Sequence, residues 1–122
     1  MSIPFTVSTP SRLCLFGEHQ DYLGLEVVAA AIDLRFYATV AAREDSWIKI
    51  AIRDSRLDRL DSKNDDQLYE HVAIDLTQPI VYESKRDYLK SSVNVLIKAG
   101  YVLHGFDLRL DSEIPIGKGM CS

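Results

Sequence analysis

Two short stretches of the chain gather the residue types that could do chemistry. In Phe16-Gly17-Glu18-His19-Gln20-Asp21-Tyr22-Leu23-Gly24, five hydrogen-bonding side chains stand between two glycines. Glu18 and Asp21 can accept protons from hydroxyl groups and His19 can donate or accept, a combination that suits a polyhydroxyl ligand. The glycines permit positive φ and let a ligand come close to the backbone. Polar groups buried against such a ligand reject one that lacks the matching hydroxyls, because they would be left unpaired. On composition alone, a polar surface loop between two glycines is the commoner reading.

The second stretch is Ile114-Pro115-Ile116-Gly117-Lys118-Gly119-Met120-Cys121-Ser122, where Gly-x-Gly follows an acidic turn. A loop of backbone N–H groups that leads into a helix N-terminus cradles phosphate. By itself a Gly-x-Gly pair is more often an ordinary turn, and the spacing and Gly-Lys-Ser/Thr ending of a Walker A loop are absent.

The elements that must position these stretches are legible in outline. Ile3 to Ser8 and Arg12 to Phe16 read as strands around a turn at Thr9-Pro10-Ser11. An apolar stretch begins at Val27 to Ile32, and β-branched and aromatic alternation continues over Arg35 to Ala42. Trp47 to Ile52 alternates as a strand, with Trp47 expected in the core. Arg53 to Gln67 is rich in charges of both signs and reads as a solvated excursion, with a short strand at Arg56 to Leu60.

Ser84 to Gly100 is the expected helix. Ser84 with Asp87 can cap its first turn, Leu89, Val93, Leu96 and Ile97 share one face with Tyr88 also in the core, and Gly100 stops it. Val102 to Leu110 reads as a further strand. Strands, one helix and another strand define an α+β class rather than a regular parallel βαβ sheet.

Composition limits the function. Apolar residues make up 47% and charged residues 26% of 122, enough for a packed domain and inconsistent with disorder. A net charge of −4 argues against nucleic acid or an anionic membrane as the main partner. The longest apolar run, Val27 to Ile32, is far short of a bilayer span, and the start of the chain lacks a signal-peptide pattern, so a cytoplasmic location is the expectation. Cys14 and Cys121 have no zinc-type spacing and read as free thiols, Cys14 as a small core residue. His71 and His104 lack acidic or thiol partners at ligand spacing, so no metal-ligating residues are expected.

Ser11-Arg12-Leu13-Cys14-Leu15-Phe16-Gly17-Glu18-His19-Gln20-Asp21-Tyr22 resembles the galactokinase signature Gly-Arg-x-Asn, two apolar residues, Gly-Glu-His-x-Asp-Tyr, and Ala31-Ile32-Asp33 fits the same family. Pro115-x-Gly117-x-Gly119-Met120-Cys121-Ser122 is similar to the phosphate loop of the GHMP kinases, Pro-x-Gly-x-Gly-Leu-small-Ser-Ser. The mevalonate-kinase branch shares the Gly-Glu-His start without the Asp-Tyr pair, so Asp21-Tyr22 points to sugar. The departures are Ser11 for Gly, Cys14 for Asn, Leu23-Gly24-Leu25 for Asn-Gly-Gly, Met120 for Leu and Cys121 for Gly or Ser.

The resemblance implies the N-terminal part of a GHMP kinase fold (ribosomal protein S5 domain 2-like), mostly antiparallel sheet, with residues 1–122 as one incomplete N-terminal domain. It implies sugar binding by Glu18, His19 and Asp21, with Arg12 beside the transferred phosphate and the catalytic base. It also implies nucleotide binding by Gly117, Lys118, Gly119, Met120, Cys121 and Ser122, with Lys118 auxiliary, and ATP with Mg²⁺ as cofactors. Asp87-Tyr88 falls where such kinases place residues near the adenine. The catalytic Asp and the C-terminal part lie beyond this segment in the family, so this chain alone is expected to be inactive, and to associate with the remainder or with itself. A catalytically silent sugar sensor on the same fold, and an unrelated α+β binding module, are the alternatives.

Overall fold

The computed structural model describes residues 3–53 and 68–115. Five strands, β1 (Phe5–Phe16), β2 (Val28–Ala42), β3 (Trp47–Arg53), β4 (Tyr69–Asp75) and β5 (Phe106–Ser112), accompany one α-helix among the described residues, α1 (Tyr88–Lys98), and a 3₁₀ turn at Asp21–Leu23. The strands form one sheet in the order β1-β2-β5-β3-β4. The class is α+β and mostly sheet, as expected. Two compact units divide the chain: Met1–Phe5 with Thr39–Arg109, and Thr6–Ala38 with Leu110–Ser122.

In the first unit, β3 and β4 pair antiparallel from Trp47↔Asp75 to Arg53↔Tyr69. Because successive side chains of a strand point to opposite faces, one set is buried: Ile48 and Ile50 in β3 and Ile74 in β4, joined in the core by Val93 of α1. Trp47 stands on the other face and is 39% exposed, which corrects its expected place in the core. Strand β4 was not anticipated, although Tyr69, Val72 and Ile74 carry β-branched and aromatic character. The excursion expected over Arg53 to Gln67 and its short strand fall, beyond Arg53, outside the described residues.

The helix is shorter than expected. It begins after Asp87 rather than Ser84, and no side-chain cap bond forms. The Asp87 carboxylate accepts instead from the Glu83 N–H at 3.2 Å and lies 3.9 Å from the Lys90 ammonium. Lys90 donates to the Val81 carbonyl at 3.3 Å and pairs with Glu83 at 3.2 Å. Together these contacts tie the incoming segment to the first turn of α1. Val93 and Lys90 are the buried helix residues, whereas Leu96 and Ile97 are 43% and 40% exposed and Tyr88 is 71% exposed, so the expected core face is only partly covered. The C-terminus is closed as a Schellman motif: Gly100 has φ +91, its N–H donates to Ile97 and the Tyr101 N–H donates to Leu96.

In the second unit, β1 runs unbroken through Thr9-Pro10-Ser11, where a turn was expected. Proline lacks the N–H that a central strand needs, and β1 is an edge of the sheet, where that loss is tolerated. Strand β5 starts at Phe106 rather than Val102. Gly105, just ahead of it, is buried with its α-carbon pressed against the backbone carbonyls of Asp45 and Trp47. Cys14 is half-buried and free, its thiol directed at the Phe16 carbonyl. Among the described residues no helix is long and apolar enough to cross a membrane.

Candidate functional site

The loop from Gly17 to Gly24 is built from its own backbone. Gly17 has φ +85 and Gly24 φ +71, so left-handed residues open and close it. The Gly17 carbonyl accepts from the Gln20 N–H at 2.9 Å, and the Gln20 carbonyl accepts from the N–H groups of Leu23 and Leu25 at 3.0 and 3.2 Å. Gly17 also faces the chain just ahead of β2 so closely that a side chain there would strike Glu26 and Val27. Glu18 and His19 are exposed at the turn and make no hydrogen bond or ion pair among the described residues. A carboxylate and an imidazole held by a fixed backbone and left uncommitted are ready to meet hydroxyl groups.

Asp21 opens the 3₁₀ turn of the same loop, and Arg12 is an exposed residue of β1, the strand that delivers the chain to Gly17. The structure thus gathers Glu18, His19 and the Asp21 backbone on one turn at the end of the strand that carries Arg12. Gly117, Lys118, Gly119, Met120, Cys121 and Ser122 lie outside the described residues.

The approach to that second stretch is described, and it is anchored on β2. The Glu113 carboxylate accepts from the Arg35 N–H at 3.0 Å and from the Tyr37 hydroxyl at 3.2 Å, while the Glu113 N–H donates to the Arg35 carbonyl. Partial burial, and then the Glu113 carboxylate, push the Tyr37 phenol above its usual pKa. Arg35 also donates through Nε to Ser8 Oγ on β1. Ile114 is 7% exposed. Sequence reading missed Arg35, Tyr37 and Glu113; the acidic turn was visible, but its partners lie far away in sequence. The first unit has its own polar cluster, in which Arg43 pairs with Asp107 at 2.9 Å and with Asp45. Hydrogen bonding from Arg43 lowers the Asp45 carboxyl to about 2. Among the described residues no group of three or more His, Cys, Asp or Glu is placed to hold a metal ion.

Three comparisons place this architecture among known proteins. Residues 2–42 match the family model described as the galactokinase galactose-binding signature. The crystal structure of Lactococcus lactis galactokinase complexed with galactose superposes with a TM-score of 0.68 at 28% identity, covering 98% of this chain and 29% of that one. A mevalonate kinase from Thermococcus sibiricus is 30% identical over 116 residues, 94% of this chain and 33% of its own length. The chain therefore carries the N-terminal part of the GHMP kinase fold and resembles that family in sequence as well as in structure. Its kinship runs to galactokinases and mevalonate kinases alike, with a Limosilactobacillus reuteri galactokinase 29% identical over 117 residues. It spans about a third of the length of the curated relatives it matches.

Proposed function

We propose that this chain is the N-terminal part of an ATP-dependent, galactokinase-like kinase that phosphorylates a sugar hydroxyl. The observation that carries the reading is the match of residues 2–42 to the galactose-binding signature, on a loop whose Glu18 and His19 stand uncommitted. In this reading Glu18, His19 and Asp21 bind sugar hydroxyls and Arg12 stands beside the transferred phosphate. The Gly117–Ser122 stretch would hold the nucleotide phosphates, on the strength of its sequence pattern and of the anchored Glu113 and Ile114 ahead of it. ATP would supply the phosphoryl group, with Mg²⁺ neutralising its charge.

The catalytic base lies beyond this segment in the proposal, residues 1–122 are one incomplete domain, and the chain alone is inactive, in the cytoplasm or in vitro. Phosphoryl transfer requires metal, phosphate clamp and an oriented nucleophile together, so a partial constellation does not turn over. Its partner is the remaining part of the kinase, which would cover exposed apolar residues such as Val95 and Val102, 61% and 82% exposed. A second substrate reading, mevalonate, is favoured by the 30% identity to the Thermococcus kinase, and Asp21-Tyr22 weighs against it.

Titrating the ¹⁵N-labelled chain separately with galactose and mevalonate tests the proposal. Galactose should shift the amides of residues 17–24, and Asp21→Ala should abolish the shifts. Mevalonate shifting those amides in place of galactose would transfer the assignment to the second substrate, and galactose-dependent ADP release by the chain alone would refute its inactivity.

A further inference from the structure

Alternation along β3 and β4 puts odd-numbered residues on the sheet face opposite Ile48, Ile50 and Ile74. On that face, within the unit of residues 39–109, lies a cavity of about 680 Å³. Its floor is Ala41, Ala51 and Ala73, and its walls include Lys49, His71 and Arg109. The β3–β4 register sets Lys49 opposite Ala73 and Ala51 opposite His71. Each long polar side chain therefore stands beside a residue that stops at Cβ, and the difference in length makes the hollow.

The charges around it are unevenly committed. Asp107, the acid of the lining, is held by Arg43 at 2.9 Å. The Arg109 guanidinium lies 4.6 Å over the centre of the Tyr69 ring and donates to the Tyr69 hydroxyl, so it is fixed in place at the wall. The Lys49 ammonium makes no side-chain hydrogen bond or close ion pair among the described residues, although its charge adds to the field that lowers the Asp45 carboxyl. The chain as a whole carries −4, yet here the acid of the lining is held by Arg43 and the ammonium has no carboxylate in direct contact. A small-molecule site pairs an apolar surface with a few placed polar groups, and a carboxylate or phosphate meeting Lys49 gains a charge-assisted hydrogen bond.

We propose that this cavity binds a small amphipathic organic anion, its apolar body on the alanine floor and its carboxylate or phosphate at Lys49. None of these residues belongs to the loop of residues 17–24 or to residues 117–122.

The test titrates the ¹⁵N-labelled 122-residue chain with naphthalene-2-carboxylate and with its neutral amide. The carboxylate should shift amides of residues 49–51, 71–73 and 107–109 and bind about tenfold more tightly than the amide. Lys49→Ala should erase that preference, and Ala73→Leu, which fills the floor from an exposed strand position, should remove binding of both probes. Ala51→Leu repeats the filling from the neighbouring strand, should Ala73→Leu lose the folded spectrum. Equal affinity for the two probes, shifts confined to α1, or unchanged binding in a folded floor-filling variant would each overturn the assignment.

Discussion

A β-carbon added to Gly17 would lie 2.8 Å from the carbonyl oxygen of Glu26. Gly17 is thus constrained twice, by its φ of +85 and by backbone that cannot move aside as a flexible side chain would. Gly24, at the other end of the loop, has φ +71 and nothing within 4 Å of the same construction.

The two glycines should therefore respond differently to alanine. Gly24→Ala meets only the left-handed penalty, about 1 kcal/mol. Gly17→Ala adds a backbone clash and should cost about 3 kcal/mol, with the amide shifts of residues 17–27 displaced. Urea denaturation of both variants checks this, and equal losses would contradict the geometry.

Gly105 makes a parallel case in the first unit. An alanine there would run into the Asp45 carbonyl and lie 2.9 Å from that of Trp47. Gly105→Ala should destabilise by about 3 kcal/mol and disturb the Arg43 N–H bond to the Gly105 carbonyl. Thermal denaturation, with the exchange rate of the Arg43 amide, reports both effects.

Lys90 is 8% exposed and reaches oxygens of three residues just ahead of α1, Val81, Glu83 and Asp87. Lys90→Met keeps most of the apolar stem and removes the ammonium, leaving the Val81 carbonyl and the Asp87 carboxylate short of a partner. The expected loss is about 1–2 kcal/mol, with faster amide exchange over residues 81–89. An unchanged urea midpoint would show that the ammonium does not hold this segment.

Asp45 gives a pH signature with a definite sign. Its carboxyl is lowered from 3.8 to about 2, chiefly by the hydrogen bond from Arg43. A depressed folded-state value means that the stabilisation is fully present above about pH 4 and is lost as the pH falls toward 2. Asp45→Asn should lower the urea midpoint at pH 6 and shrink the difference from wild type at pH 2. A difference independent of pH would exclude the ionised pair as its source.

Much of the candidate site was legible because its signals are local. The glycines at 17 and 24 and the acids between them belong to one continuous stretch, and the turn they make is closed by hydrogen bonds among neighbours. The helix stop at Gly100 was legible for the same reason, since a Schellman motif needs only the last turn and a left-handed residue. The helix start was misread because Ser84 and Asp87 have the spacing of a cap, whereas Asp87 is drawn to Glu83 and Lys90. The turn expected at Pro10 was misread because a proline's cost in a strand depends on whether that strand is an edge.

The sequence by itself determined the class of the fold, the polar loop between Gly17 and Gly24 and the resemblance to the GHMP kinases, since all three rest on residue types and short-range spacing. Only the tertiary structure decided which face of β3 is buried, leaving Trp47 out and Ile48 in. Alternation fixes two faces, and which of them meets the helix depends on packing between distant elements. The anchoring of Glu113 on Arg35 and Tyr37 and the alanine-floored cavity likewise exist only once strands remote in sequence lie side by side.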